Sequence, residues 1–140
     1  MNFDIISHQG AGPVRFGMRP EEIRKIIALP FSTFKRSPED SHPCDKFPDT
    51  TLFSYYNSTG EAEAFEFAKP AKVTFGPTDL LGEGFAGIVE KLRVLDPDIE
   101  LESSGFTSFA LGFGAYAPNC SEDPLASPES IIVFPKGYYD

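Results

Sequence analysis

The chain has 140 residues, 41% apolar and 24% charged, which suits one domain that can bury roughly 68–70% of its unfolded surface without help from a disulfide or metal. Twenty-one acidic against twelve basic side chains give a formal net charge of −9. That field repels phosphates, and with no Lys/Arg stripe to oppose it a nucleic-acid-binding role is disfavoured. No apolar run approaches about 18 residues, and Met1-Asn2-Phe3-Asp4 lacks the basic and apolar regions of a signal peptide, so the sequence predicts a cytoplasmic protein without a membrane span. Cys44 and Cys120 then read as reduced thiols.

In chain order, residues 1–19 read as extended, with Gly10 and Gly12 at a turn. A short helix follows. Pro20 suits its first position, Glu21 and Glu22 favour the positive end of its dipole, and Ile23, Ile26 and Ile27 form one stripe before Pro30. Residues 31–50 have loop composition. Thr50 to Tyr56 and Glu61 to Ala68 then read as a hairpin around Asn57-Ser58-Thr59-Gly60, followed by a strand over Ala71 to Phe75. Phe85, Ile88, Val89 and Leu92 predict a second helix over 85–95, stopped by Asp96-Pro97-Asp98. Ile99 and Leu101 alternate with acids as a half-buried strand. Phe106 to Ala117 reads as one long strand whose Gly112 and Gly114 side leaves room for a close neighbour. A Pro/Ser/Asp loop over 118–130 precedes a final strand over Ser130 to Pro135.

Val14-Arg15-Phe16-Gly17 and Val73-Thr74-Phe75-Gly76 share V-x-F-G, and each precedes a helix and then strands. This predicts an α+β domain of two similar halves, about 1–70 and 71–140. Their strands would form one antiparallel sheet with both short helices on one face.

Three features of the sequence bear on chemistry. Gly82-Glu83-Gly84-Phe85-Ala86-Gly87 is a literal G-x-G-x-x-G with Glu102 twenty residues after Gly82, the spacing of a dinucleotide site. Pro77 to Leu81 separates it from the preceding strand, however, and too little chain follows for the remaining units of that fold, so the reading is a glycine-loosened helix start. His42-Pro43-Cys44-Asp45 offers three metal-ligand types in a loop, short of the ligand set a zinc site needs. No G-x-S-x-G or catalytic-cysteine signature occurs, and the carboxylate clusters at 61–66 and 96–102 read as solvated strand faces. The expectation is a protein that is not an enzyme and that needs no cofactor or metal.

Gly10-Ala11-Gly12-Pro13-Val14-Arg15-Phe16-Gly17-Met18-Arg19-Pro20-Glu21-Glu22-Ile23 resembles a G-x-G-P-x-x-F-G-M-x-x-E-E motif of small bacterial proteins. Their fold is similar to beta-lactamase inhibitor protein, with tandem helix-plus-hairpin repeats. Some look like immunity proteins, encoded beside toxins that they neutralise by binding. A related F-G-M-x-x-E-E segment recurs in lipoproteins of outer-membrane assembly, whose lipobox cysteine this chain lacks. The chain departs from the pattern at Ala28-Leu29-Pro30, where L-G-x-P is common, and in the second half, which has no G-M-x-x-E-E.

The resemblance implies an immunity protein that occludes a cognate protein toxin, a nuclease or other interbacterial effector, and the net charge of −9 favours a toxin with a basic surface. Because interfaces favour aromatic anchors ringed by polar groups, the expected contacts are Tyr55, Tyr56, Tyr116, Tyr138 and Tyr139, with Glu61, Glu63 and Glu66 as acids. The alternatives are a small-ligand-binding or enzymatic domain with a pocket between sheet and helices, and a structural protein without such activity.

Overall fold

The computed structural model describes residues 1–139. The chain opens with β1 (Asn2–Ile6), β2 (Gly10–Ala11) and β3 (Val14–Arg15), then α1 (Pro20–Ile27). A four-strand meander follows: β4 (Ser32–Phe34), β5 (Cys44–Phe47), β6 (Leu52–Tyr56) and β7 (Ala62–Ala68). The second half repeats the order with β8 (Lys72–Phe75), β9 (Thr78–Asp79), α2 (Phe85–Leu95) and a meander of β10 (Glu100–Glu102), β11 (Gly105–Ser108), β12 (Phe113–Tyr116) and β13 (Ser130–Val133). The protein is α+β and mostly sheet.

The strands divide between two sheets where one was expected. Eight strands run in the order β10-β11-β12-β13-β7-β6-β5-β4, and five more run β3-β2-β1-β8-β9. The cause is the opening segment of each half: β1 and β8 pair in parallel with each other, Phe3 beside Val73, instead of joining a meander. In the large sheet the last strands of the two meanders meet antiparallel at the centre, with Glu66 opposite Ile132.

Alternation sorts the large sheet into an inner and an outer face. One inner row runs Phe47, Leu52, Phe67, Ile131, Ala115, Phe106 across paired strands. These residues share a core with Phe3, Ile5, Val14 and Val73 of the small sheet and with the apolar stripes of both helices, Ile23 and Ile27 on α1 and Phe85, Ile88, Val89 and Leu92 on α2. Both helices therefore lie on one face of the large sheet. Each half also ties its helix to the second strand of its meander through a buried carboxylate. Arg24 of α1 bonds Asp45 of β5 at 2.8 and 3.0 Å; Asp96, just past α2, accepts from Ser108 of β11 at 2.7 Å.

The V-x-F-G repeats play the same part twice. Val14 and Val73 are fully buried, Phe16 and Phe75 pack against the core, and Gly17 and Gly76 turn the chain with φ of +89° and +56°. α2 spans the residues predicted for it. In α1 the Glu22 carboxylate reaches back to the Arg19 N–H, 3.2 Å away, while Ile26 points outward.

Three expectations change. Residues 106–117 are a hairpin and not one strand, since the chain reverses through 109–112 with Gly112 at φ +81°. Phe106 and Phe113 then share the inner face, and Phe109 at the tip is half exposed. The Ile99–Leu101 segment is an edge strand with all of Glu100, Leu101 and Glu102 exposed, because it has a paired neighbour on one side alone. Residues 31–50, read as loop, contain β4 and β5. Among the described residues no helix is long and apolar enough to cross a membrane.

Candidate protein-binding face

With the small sheet and both helices on the inner side, the outer face of the large sheet is covered by the C-terminal segment, through Tyr138, and by Arg36 of the loop after β4. Its side chains follow from register. One row reads Glu100, Thr107, Gly114, Ile132, Glu66, Phe53, Lys46; the next reads Glu102, Gly105, Tyr116, Ser130, Ala68.

Over the first half this face is closed. Cys44, Tyr55 and Ala64 form a buried cluster, with Phe34, Phe53, Ile132 and Tyr138 packed against it. The Tyr55 hydroxyl donates to Glu66 Oε1. Burial, reinforced by that carboxylate, raises the Tyr55 pKa well above the usual phenol range. Burial likewise raises the Cys44 thiol. The tail from Phe134 to Tyr139 carries mutually packed rings, Tyr138 and Tyr139 lying 4.9 Å apart in an edge-to-face pair.

Over the second half the face is open. A cleft of about 180 Å³ runs across it, its rim including Glu66, Glu102, Thr107, Tyr116, Ser130 and Ile132. Its depth has a local cause. Gly105 and Gly114 contribute no side chain, and neither can: an added Cβ would lie 1.9 Å from the Ala115 carbonyl oxygen or 2.8 Å from that of Phe106. Tyr116 is 52% exposed and Tyr139 is 55% exposed. The Tyr139 hydroxyl is raised in pKa first by burial, then by Tyr138 and by the carboxylates of Glu66 and Glu102, which places it within the field of both acids.

Of the residues predicted for partner contact, the structure gathers Tyr55, Glu66, Tyr116, Tyr138 and Tyr139 on or beside this face. Tyr56 is not among them: strand alternation turns it into the core, where its hydroxyl donates to buried Asp45 at 2.7 Å. Glu61 sits at the β6–β7 turn and accepts from Thr59. Glu63 pairs with Arg36 at 3.2 Å and lines a polar cleft of about 330 Å³ with His42 and Asp40, at the end of the sheet. Glu102 and Arg36 were missed as contact candidates. Glu102 was legible as the residue opposite Gly105 once 102–105 is read as a tight turn; Arg36, in a loop, had no periodic signal.

The other motifs resolve into structure. At the start of α2 the Phe85 and Ala86 N–H groups donate to the carbonyls of Ala126 and Pro124. A Cβ on Gly84 would come within 2.7 Å of the Leu125 carbonyl oxygen. The G-x-G-x-x-G glycines thus admit the 118–130 loop, and that loop occupies amides a phosphate would need. In the His42–Asp45 stretch, Cys44 faces outward and Asp45 inward, so alternation separates two of the three candidate ligands; among the described residues no three His, Cys, Asp or Glu side chains converge as a metal site. Cys44 and Cys120 are unbonded thiols, one in the outer cluster and one in the main core. The space between sheet and helices is filled by Phe47, Phe65, Phe67 and Phe113, each fully buried.

No protein-family model, curated protein or solved structure matches the chain.

Proposed function

We propose that the protein is an immunity-type inhibitor that binds a cognate bacterial toxin through the outer face of its large sheet and neutralises it by occlusion. The observation that carries this reading is the open half of that face, where exposed Tyr116 stands beside Glu66 and Glu102. Aromatic anchors with a polar rim are the usual make-up of a protein interface. The net charge of −9 would speed encounter with a basic partner. The resemblance of residues 10–23 to immunity-type proteins supports the same reading.

The test is co-expression with the toxin encoded beside the gene. Rescue of growth, with a complex on a sizing column, is the expected result. A toxin that stays lethal and elutes apart from this protein overturns the proposal.

A further inference from the structure

The two halves of the outer face differ at one corresponding position. In the central pair Glu66 lies opposite Ile132; on the flanking strands, Phe53 pairs with Glu66 and Gly114 with Ile132. Two residues further along each strand stand Tyr55 and Tyr116, so these tyrosines occupy equivalent places in β6 and β12. Tyr55 carries the Arg36 guanidinium over its ring, 4.5 Å from the centroid, and the same guanidinium bonds Glu63. Tyr116 stands beside a cleft that holds Glu66 and Glu102, and among the described residues no Lys or Arg forms an ion pair with either acid. The first half thus contains the tyrosine–guanidinium–glutamate arrangement whose cation the second half lacks.

We propose that the cleft over Gly105 and Gly114 receives an arginine side chain of a basic protein partner, stacked on Tyr116 and paired with Glu102, which stands in the same row across Gly105. The proposal rests on the partner-binding reading and names the chemistry of its contact. A planar guanidinium suits the site better than an ammonium. It is more weakly hydrated, it stacks on an aromatic ring, and its fork of donors matches a carboxylate through two parallel hydrogen bonds. The missing side chains at Gly105 and Gly114 let such a group lie flat against the strands. Glu66, held by the Tyr55 hydroxyl, adds its negative charge at the far rim of the cleft.

The experiment is a titration of the isotope-labelled full chain with acetyl-tetra-arginine amide, followed by amide chemical shifts, with tetra-lysine as the charge-matched arm. The expected result is saturable shifts centred on Thr107, Gly114, Tyr116 and Ile132, with tetra-lysine about 2–5-fold weaker. Glu102→Gln should weaken arginine binding roughly 2–5-fold, and Tyr116→Ala should remove the preference over lysine. The spectra themselves report that each variant is folded. Equal binding of the two peptides overturns the arginine assignment. Shifts spread over the whole acidic surface, or unchanged by both substitutions, overturn the site. If the peptide binds here and the toxin is not neutralised, the immunity reading falls and the site stands; neutralisation that survives E102Q with Y116A removes the site and keeps the reading.

Discussion

Arg24 holds Asp45 through two hydrogen bonds, 2.8 and 3.0 Å long, and Asp45 has no exposed surface at all. The Tyr56 hydroxyl completes the shell at 2.7 Å, and Phe31 lies under the guanidinium, 4.4 Å from its ring centroid. This pair anchors α1 to β5. Removing the arginine leaves a buried carboxylate without its counter-charge, which costs more than the pair itself contributes. Arg24→Ala is therefore expected to destabilise the fold by roughly 3 kcal/mol or more, measured by urea unfolding. A loss below about 1 kcal/mol, the range of an exposed pair, would show that Asp45 is solvated.

A second expectation concerns the end of the same helix. Ala28 caps α1 with φ +56° and ψ +36°, a left-handed conformation that crowds any Cβ. Ala28→Gly should stabilise the protein by about 0.5–1 kcal/mol, seen as a raised Tm, because glycine takes this conformation without that penalty. Destabilisation would mean that the Ala28 methyl group packs usefully. The resembling family commonly places glycine in the corresponding L-G-x-P stretch, so the structure supplies a physical reason for that preference.

Gly84 makes the opposite case. Its missing side chain admits the Leu125 carbonyl, and the neighbouring amides bond the same loop. Gly84→Ala should push that loop away and cost about 1–3 kcal/mol, as overpacking does. Unfolding measurements on G84A check it, and a neutral result would contradict the close approach.

Alkaline pH gives a third kind of test. Tyr55 and Tyr56 are both raised above the ordinary phenol value of 10.0, Tyr55 by burial and Glu66, Tyr56 by burial with Asp45 adding to it. In the unfolded chain both ionise near pH 10, while the folded chain keeps their protons. The unfolded state then binds fewer protons, so stability is fully present below about pH 10 and falls as pH rises beyond it. Ultraviolet titration should show these two phenols ionising together with unfolding. Ionisation of Tyr55 and Tyr56 near pH 10 with the protein still folded would contradict their burial.

Much of the fold was legible because the residues that fix it are local. Phe85, Ile88, Val89 and Leu92 specify α2 by spacing alone, and the repeated V-x-F-G marks the start of each half. What escaped was long-range. Nothing in Phe3-Asp4-Ile5 says that its neighbour will be Val73, so the division into two sheets could not be read from either segment. The reversal at 109–112 was hidden because Phe109 and Leu111 keep an alternating pattern through the turn. For the candidate face, residue type singles out tyrosines and glutamates without regard to which side of a strand each one takes. Alternation along β6 sends the adjacent Tyr55 and Tyr56 to opposite sides of the sheet.

The meeting of β7 and β13 at the centre of the large sheet has a consequence for how the protein is made. Phe67 pairs with Ile131 from the far half of the chain, so during synthesis β7, with Phe65 and Phe67, remains a bare sheet edge until the final strand has left the ribosome. Such an edge is a template for pairing with other chains, and contacts between distant segments form slowly. Chains truncated before Ser130 are thus expected to accumulate as aggregates. The outer face comes into being only once Ser130–Val133 can join the two meanders.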